Sequence, residues 1–144
     1  MNTNLGGTEL DNFNEIQTSV SELEAKLRDE IRRCVNVIGE TTASKKANDV
    51  IAVRVADKTI LADWFIFMSG TSAIHVKSVC DEVEDKAAEA GLQLRRREGY
   101  NDGRWIVLDY ASIIVHIFHP EEREYYNVER LWMDETTETI KFDN

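Results

Sequence analysis

Two apolar runs that fail to alternate set the tightest limit on the fold. Residues 50–55 and 64–68 are dense in β-branched and aromatic side chains. A strand with one wet face alternates apolar and polar positions, and these do not, so both are read as strands covered on both faces. Ser69-Gly70-Thr71-Ser72 follows the second run and reads as a turn, with Ser72 placed to cap the helix after it. That helix is expected over residues 73–90. It buries Val76, Val79, Val83, Ala87 and Ala90, carries Asp81, Glu82, Glu84, Asp85 and Glu89 on its other side, and stops at Gly91.

The remaining elements are placed around this strand–turn–helix unit. Leu23, Leu27, Ile31, Cys34, Val35 and Ile38 recur at helical spacing, which predicts a first helix over residues 20–38. Ser19 with Glu22 reads as its capping box and Gly39 as its stop. Residues 40–48 are a loop or a second helical piece through Lys46. Residues 92–98 are read as a short strand whose Arg95-Arg96-Arg97 run suits a solvated edge. Residues 104–110 and 112–118 are joined by so short a connection that they form an antiparallel hairpin. Pro120 opens a last helical stretch at Glu121, running to Trp132. Residues 134–144 are polar and read as a mobile tail. The order α, β, β, α, β, β, β, α fits one α/β domain: a mixed five-stranded sheet with flanking helices. The boundaries expected are a polar flexible N-terminus at 1–18, the domain at 19–133 and an acidic flexible tail at 134–144.

Charge narrows the classes of partner. The balance is 17 − 27 = −10. Residues 1–30 hold 7 acids and 2 bases, residues 119–144 hold 8 and 3, and the middle of the chain is neutral. Acidic flanks repel phosphate backbones, which disfavours free nucleic acid and leaves a basic protein surface as the better electrostatic match. Acidic flanks also keep a small domain soluble, and that reading stands beside the first. No run of 18 apolar residues occurs, so no membrane span is expected. The start of the chain has neither the cationic nor the apolar region of a secretory signal. Cys34 and Cys80 sit inside helical apolar patterns and read as buried thiols of a reducing cytoplasm.

The usual catalytic constellations are missing from the sequence. Ser69-Gly70 follows a strand, and Asp109 and three histidines are available, but there is no Gly-x-Ser-x-Gly elbow. His116 and His119 are three apart along a strand and its exit, an odd separation that points them to opposite faces rather than at one metal. A strand, Ser-Gly and a helix also begin a nucleotidyltransferase site, whose chemistry needs an Asp-x-Asp pair to hold metal ions near a triphosphate. No Asp-x-Asp occurs, and Asp63 and Asp109 stand singly at strand ends. The expectation is a protein that is not an enzyme, with no cofactor and no bound metal; a nucleotidyltransferase-like enzyme with an unusual metal site is the alternative from another class.

The strand–turn–helix residues carry a resemblance. Asp63-Trp64-Phe65-Ile66-Phe67-Met68-Ser69-Gly70-Thr71-Ser72 is similar to the "ADYFVIASGTS" segment of the ribosomal silencing factors, also called the Iojap-related family. His75-Val76-Lys77 and Asp81-Glu82-Val83 continue the match. So do Glu98-Gly99, Trp105-Ile106-Val107-Leu108-Asp109-Tyr110, Val115-His116-Ile117-Phe118, Arg123-Glu124-Tyr125-Tyr126 and Leu131-Trp132. The resemblance covers roughly residues 20–133. Where the family has "DYGDVVVH", this chain has Asp109-Tyr110-Ala111-Ser112-Ile113-Ile114-Val115-His116, with Ser112 in place of an acid.

The resemblance implies a nucleotidyltransferase-like sheet without an active site. It implies a cytoplasmic translational repressor that binds the large ribosomal subunit through its ribosomal protein fourteen and blocks the small subunit from joining. Organellar relatives imply the alternative of large-subunit assembly without silencing. Minor contact with ribosomal RNA, for which Arg95-Arg96-Arg97 are candidates, and pairing with a second copy when free belong to the same set of expectations. For partner binding, Trp105 is the first candidate, since it starts a strand beside a Gly-containing loop where a ring can be half exposed. Asp109 and Glu98 are candidate acceptors for Arg or Lys. Tyr110, Tyr125 and Tyr126 lie near the same end, and at least one of the three is expected to be buried. His116 reads as a hydrogen-bonded core histidine.

Overall fold

The computed structural model describes residues 3–143; Met1, Asn2 and Asn144, the outer ends of the expected N-terminus and tail, lie outside the described residues. The chain divides into two units, Met1–Arg32 and Arg33–Asn144.

The first unit is helical. Helix α1 spans Thr3–Ser44, so its first part makes up this unit. Ser19 therefore lies inside a helix rather than at its start, and the flexible segment expected before it is helical where it is described. The physical reason is the absence of a breaker: residues 8–32 contain no Gly and no Pro. Thr18 adapts by donating its hydroxyl to the Asn14 carbonyl at 3.0 Å. Leu10, Phe13, Ile16, Val20, Leu23 and Leu27 are all exposed.

The second unit begins within α1. Gly39 does not stop this helix, contrary to expectation. A Cβ at Gly39 would clash with the Phe142 ring, so glycine is here because another element needs the space. The helix ends instead at Ser44, and Lys46 just beyond it is left-handed at φ 70. The Ala47 amide donates to the Thr42 carbonyl at 3.0 Å and the Lys46 amide to the Ala43 carbonyl at 3.1 Å, a left-handed helix end built without glycine.

Next come β1 (Asn48–Arg54), β2 (Trp64–Ser69), α2 (Ala73–Glu89), β3 (Arg96–Glu98), β4 (Trp105–Asp109) and β5 (Ile113–Phe118). They are followed by α3 (Pro120–Tyr126), α4 (Val128–Trp132) and β6 (Thr139–Phe142). Among the described residues the sheet has six strands, in the order β3-β4-β5-β2-β1-β6. β2 and β5 run parallel and every other neighbouring pair is antiparallel. The sixth strand corrects the expectation of five strands and a structureless tail. Its Thr139-Ile140-Lys141-Phe142 pair with Val53, Ala52, Ile51 and Val50 and close the free edge of β1.

The registers sort the side chains onto two faces. Ile66, Met68, Ile106, Leu108, Ile113, Val115 and Ile117 are fully buried on one of them. This face meets α2, as the Arg97–Glu84 ion pair at 3.1 Å shows, because Arg97 lies opposite Leu108. The other face holds Ile51, Val53, Phe65, Phe67 and Phe118, against which Trp105, Ile114, Val128, Trp132 and Met133 pack. The two non-alternating runs are thus covered on both sides, as read from their composition.

Candidate functional site: an aromatic, acid-rimmed sheet face

Strand β4 alternates between half-buried Trp105, Val107 and Asp109 and buried Ile106 and Leu108. Cross-strand pairing places Glu98 beside Val107 and Arg96 beside Asp109, and on the other side Phe118, His116 and Ile114 face Trp105, Val107 and Asp109. Trp105, Asp109 and Glu98 therefore share one face. That face is the one α3 and α4 cover only in part.

Trp105 is held by direction as well as by packing. Its indole N–H donates to His116 Nδ1 at 3.2 Å, and its ring stacks on Phe118 with centroids 5.0 Å apart. Burial lowers the His116 pKa to about 4, so the ring is neutral near neutral pH and Nδ1 can accept. Phe67 stacks on the same imidazole at 5.0 Å. His116 is thus the hydrogen-bonded core histidine that its position in the last predicted strand suggested. From Trp105 the aromatic surface continues outward to Tyr126 at 5.3 Å and on to Tyr125 at 5.0 Å. Tyr125, 82% exposed, and Leu131, 79% exposed, form its wet end.

Two arginines fix the helix that carries these tyrosines. Arg104 donates to Glu121 at 2.9 Å and to Glu122 at 2.8 Å, and this pairing holds the Glu122 carboxyl below its ordinary range. Arg123 donates to the Asn48 and Asp49 carbonyls at 3.2 and 2.7 Å, to Ser69 Oγ at 3.1 Å, and to Glu129 at 2.7 Å. It thereby ties α3 to the ends of β1 and β2. Sequence reasoning gave Arg123 no such part, because its partners on β1 and β2 lie 54 to 75 residues away and leave no local pattern.

The acids differ in setting. Asp109 Oδ1 accepts the Ala111 amide at 2.8 Å and so shapes the turn into β5. Ala111 adopts φ 70 there, a left-handed conformation that costs a non-glycine residue about 1–2 kcal/mol. Glu98 is exposed and paired with Arg96 at 3.0 Å. Tyr110 requires a correction: it is only 5% exposed, and burial raises its hydroxyl pKa. Among the described residues that hydroxyl has no hydrogen-bond partner. Tyr110 is the buried member of the three tyrosines, and its ring contributes to the core rather than to the open face.

The chemical candidates are structural in their present contacts. Ser69 is buried, accepts from Arg123 and donates to the Asn48 carbonyl. Among the described residues two groups gather three metal-ligating side chains: His119 with Glu121 and Glu122, and Cys80 with Asp81 and Glu84. In the first, His119 Nδ1 accepts the Glu121 amide and both carboxylates bind Arg104. In the second, Glu84 binds Arg97, Asp81 accepts from Tyr100 at 3.1 Å, and burial pushes the Cys80 thiol up to about 12. No helix among the described residues is long and apolar enough to cross a membrane.

Fold and face together define a small mixed α/β domain with an exposed aromatic surface rimmed by carboxylates. A family model described as "Ribosomal silencing factor during starvation" matches residues 15–144. A protein of Bacillus subtilis named ribosomal silencing factor RsfS is 36% identical over 98 residues, covering 68% of this chain and 83% of its own. A mouse protein named mitochondrial assembly of ribosomal large subunit protein 1 is 25% identical over 103 residues, covering 68% of this chain and 44% of its own. A crystal structure of a Chromobacterium violaceum protein matches with a TM-score of 0.68 at 30% identity, over 71% of this chain and 85% of that one. The chain belongs to the ribosomal silencing factor family.

Proposed function

We propose that this protein docks on the large ribosomal subunit through the face of Trp105, Asp109 and Glu98, with ribosomal protein fourteen of that subunit as its contact. Docked there, it blocks the small subunit from joining and represses translation without catalysing a reaction. The observation that carries this reading is the run of rings from half-buried Trp105 to exposed Tyr126 and Tyr125, bordered by Asp109 and Glu98. Rigid aromatic anchors beside carboxylates suit a basic protein surface: the rings supply contact area and the acids supply complementary charge. Acids outnumber bases 8 to 3 over residues 119–144, which turns the field around α3 and α4 the same way.

The test is co-sedimentation of the purified protein with isolated large and small subunits, followed by a subunit-joining assay. Binding to the large subunit alone, with a lower fraction of joined ribosomes, is the expected result. The name of the mouse relative favours a second reading, large-subunit assembly without repression. Binding that leaves subunit joining unchanged would replace the first reading with this one.

A further inference from the structure

Within the first unit, Phe13, Ile16, Val20, Leu23 and Leu27 follow one another at intervals of three, four, three and four. That is a 3.5-residue repeat, the period of a helix seam that meets another helix in a left-handed coil. Past Leu27 the repeat changes: Ile31, Cys34, Val35 and Ile38 follow the ordinary helical period, and the last three are buried in the core of the second unit. The five residues of the strict repeat are 46–66% exposed. One helix thus carries two apolar surfaces of different period, and only the second is covered.

We propose that the N-terminal part of α1 pairs with the same segment of a second copy of this chain as a parallel, in-register, two-stranded coiled coil. Register argues for this occupant. Phe13, Val20 and Leu27 take one core position of the heptad and Ile16 and Leu23 the other, while Glu9 and Glu30 take that second position one heptad before and after. Parallel, in-register pairing stacks five apolar layers and leaves both glutamates at the ends. An antiparallel pair must match the first position with the second. Its two best registers oppose Leu27 to Glu9 or Phe13 to Glu30, so each buries a carboxylate against an apolar side chain. A β-branched Val20 at the first position with Leu23 at the second favours two strands.

Charge agrees with self-pairing. The flanking positions Asn12, Gln17, Ser19, Glu24 and Lys26 include one acid and one base, and Asp11, Glu15, Glu22 and Asp29 lie away from the seam. A second copy therefore meets like charge across the seam only at its two ends, where Glu9 and Glu30 face their own counterparts at the margin of the apolar layers. Ten side chains at roughly 60–120 Å² each bury on the order of 1,000 Å², near the lower limit for a specific pair, so a reversible dimer is the form that fits.

Sedimentation equilibrium of the full chain tests this over roughly 5–200 µM, the range in which an interface near that limit titrates. The expected mass rises from 16.5 kDa toward about twice that value. Leu23→Asp should hold the chain at the monomer mass with an unchanged unfolding midpoint, since Leu23 is exposed and outside the core. Glu9→Leu adds a sixth layer and should tighten the pair roughly tenfold. Leu27→Cys should cross-link to its own counterpart under mild oxidation, a geometry that only the parallel register supplies. A wild-type chain that stays monomeric throughout overturns the proposal. Dimerisation that Leu23→Asp leaves intact overturns it too, because another surface then pairs. If the chain is monomeric and Leu23→Asp instead loses co-sedimentation with the large subunit, the stripe belongs to the ribosome and self-pairing is wrong.

Discussion

The two faces of the sheet are built from different materials. The face toward α2 is aliphatic and closed: Ile66, Ile106, Leu108, Ile113, Val115 and Ile117 are all 0% exposed. The opposite face is aromatic and partly open, with Phe65, Phe67, His116, Phe118 and Trp105 in edge and stacked contacts 5.0–6.1 Å apart. Aliphatic packing has no preferred direction, so it stabilises the domain without placing any one group. Rings and the Trp105–His116 hydrogen bond are directional, and they hold a large surface residue in one orientation at low entropic cost. On the proposed function, the first face serves stability and the second serves presentation.

The largest expected effect separates these two roles. Leu108→Ala, on the closed face, should cost about 2–5 kcal/mol of stability, read as a fall in the denaturant midpoint. Binding to the large subunit should stay unchanged wherever the variant is folded. Equal loss of binding by folded protein would erase the distinction between the faces.

Acid should strike the aromatic face. The folded His116 pKa near 4 lies below the ordinary 6.5, so the unfolded chain takes up this proton first. The contribution of neutral His116 is complete above about pH 6.5 and is lost as pH falls toward 4, a span worth about 3 kcal/mol. Stability measured by denaturant at several pH values should show that slope, and His116→Gln should flatten it. The same slope in His116→Gln would assign the acid sensitivity to other groups.

Trp105→Ala should act mainly on binding. A half-buried anchor of this kind contributes about 2 kcal/mol or more, which is roughly a 30-fold loss of affinity for the large subunit. Thermal unfolding on the same samples should shift less than for Leu108→Ala. A large unfolding shift with no specific binding defect would return Trp105 to the core.

The smallest effect is a gain. Ala111 is left-handed at φ 70 where the resembling family segment has glycine. Ala111→Gly should relieve about 1 kcal/mol and raise the unfolding midpoint slightly. An unchanged or lower midpoint would mean that the Asp109 hydrogen bond already absorbs the strain.

What was legible in the sequence follows from how local each cause is. The strand–turn–helix unit and the β4–β5 hairpin were readable because their apolar runs, cap and short connection lie within a few residues of one another. Gly39 misled because its cause, the Phe142 ring, lies about a hundred residues further on. β6 was missed because Thr139-Ile140-Lys141-Phe142 is short and only half apolar, and it becomes a strand by meeting the free edge of β1. The helical start of the chain was not legible because its stripe has the period of a helix seam and is not turned to a core. In the site, Trp105 was singled out as a strand start beside a Gly-containing loop, and Asp109 and Glu98 as carboxylates that could accept from Arg or Lys; their common face shows only once the register is known. Tyr110 was misjudged because the residue after a strand end can turn either inward or outward.

The pairing of β1 with β6 also imposes an order in time. A growing chain holds all of β1 by Arg54 and all of β5 by Phe118, yet nothing can close the outer edge of β1 until Thr139–Phe142 have been made. Until then that edge offers unpaired amides and carbonyls along Val50, Ile51, Ala52 and Val53, a template for any neighbouring extended chain. Gly39 keeps a socket empty in a helix finished long before the ring that fills it. A pause in elongation before Thr139 therefore lengthens the interval in which this edge stays unpaired.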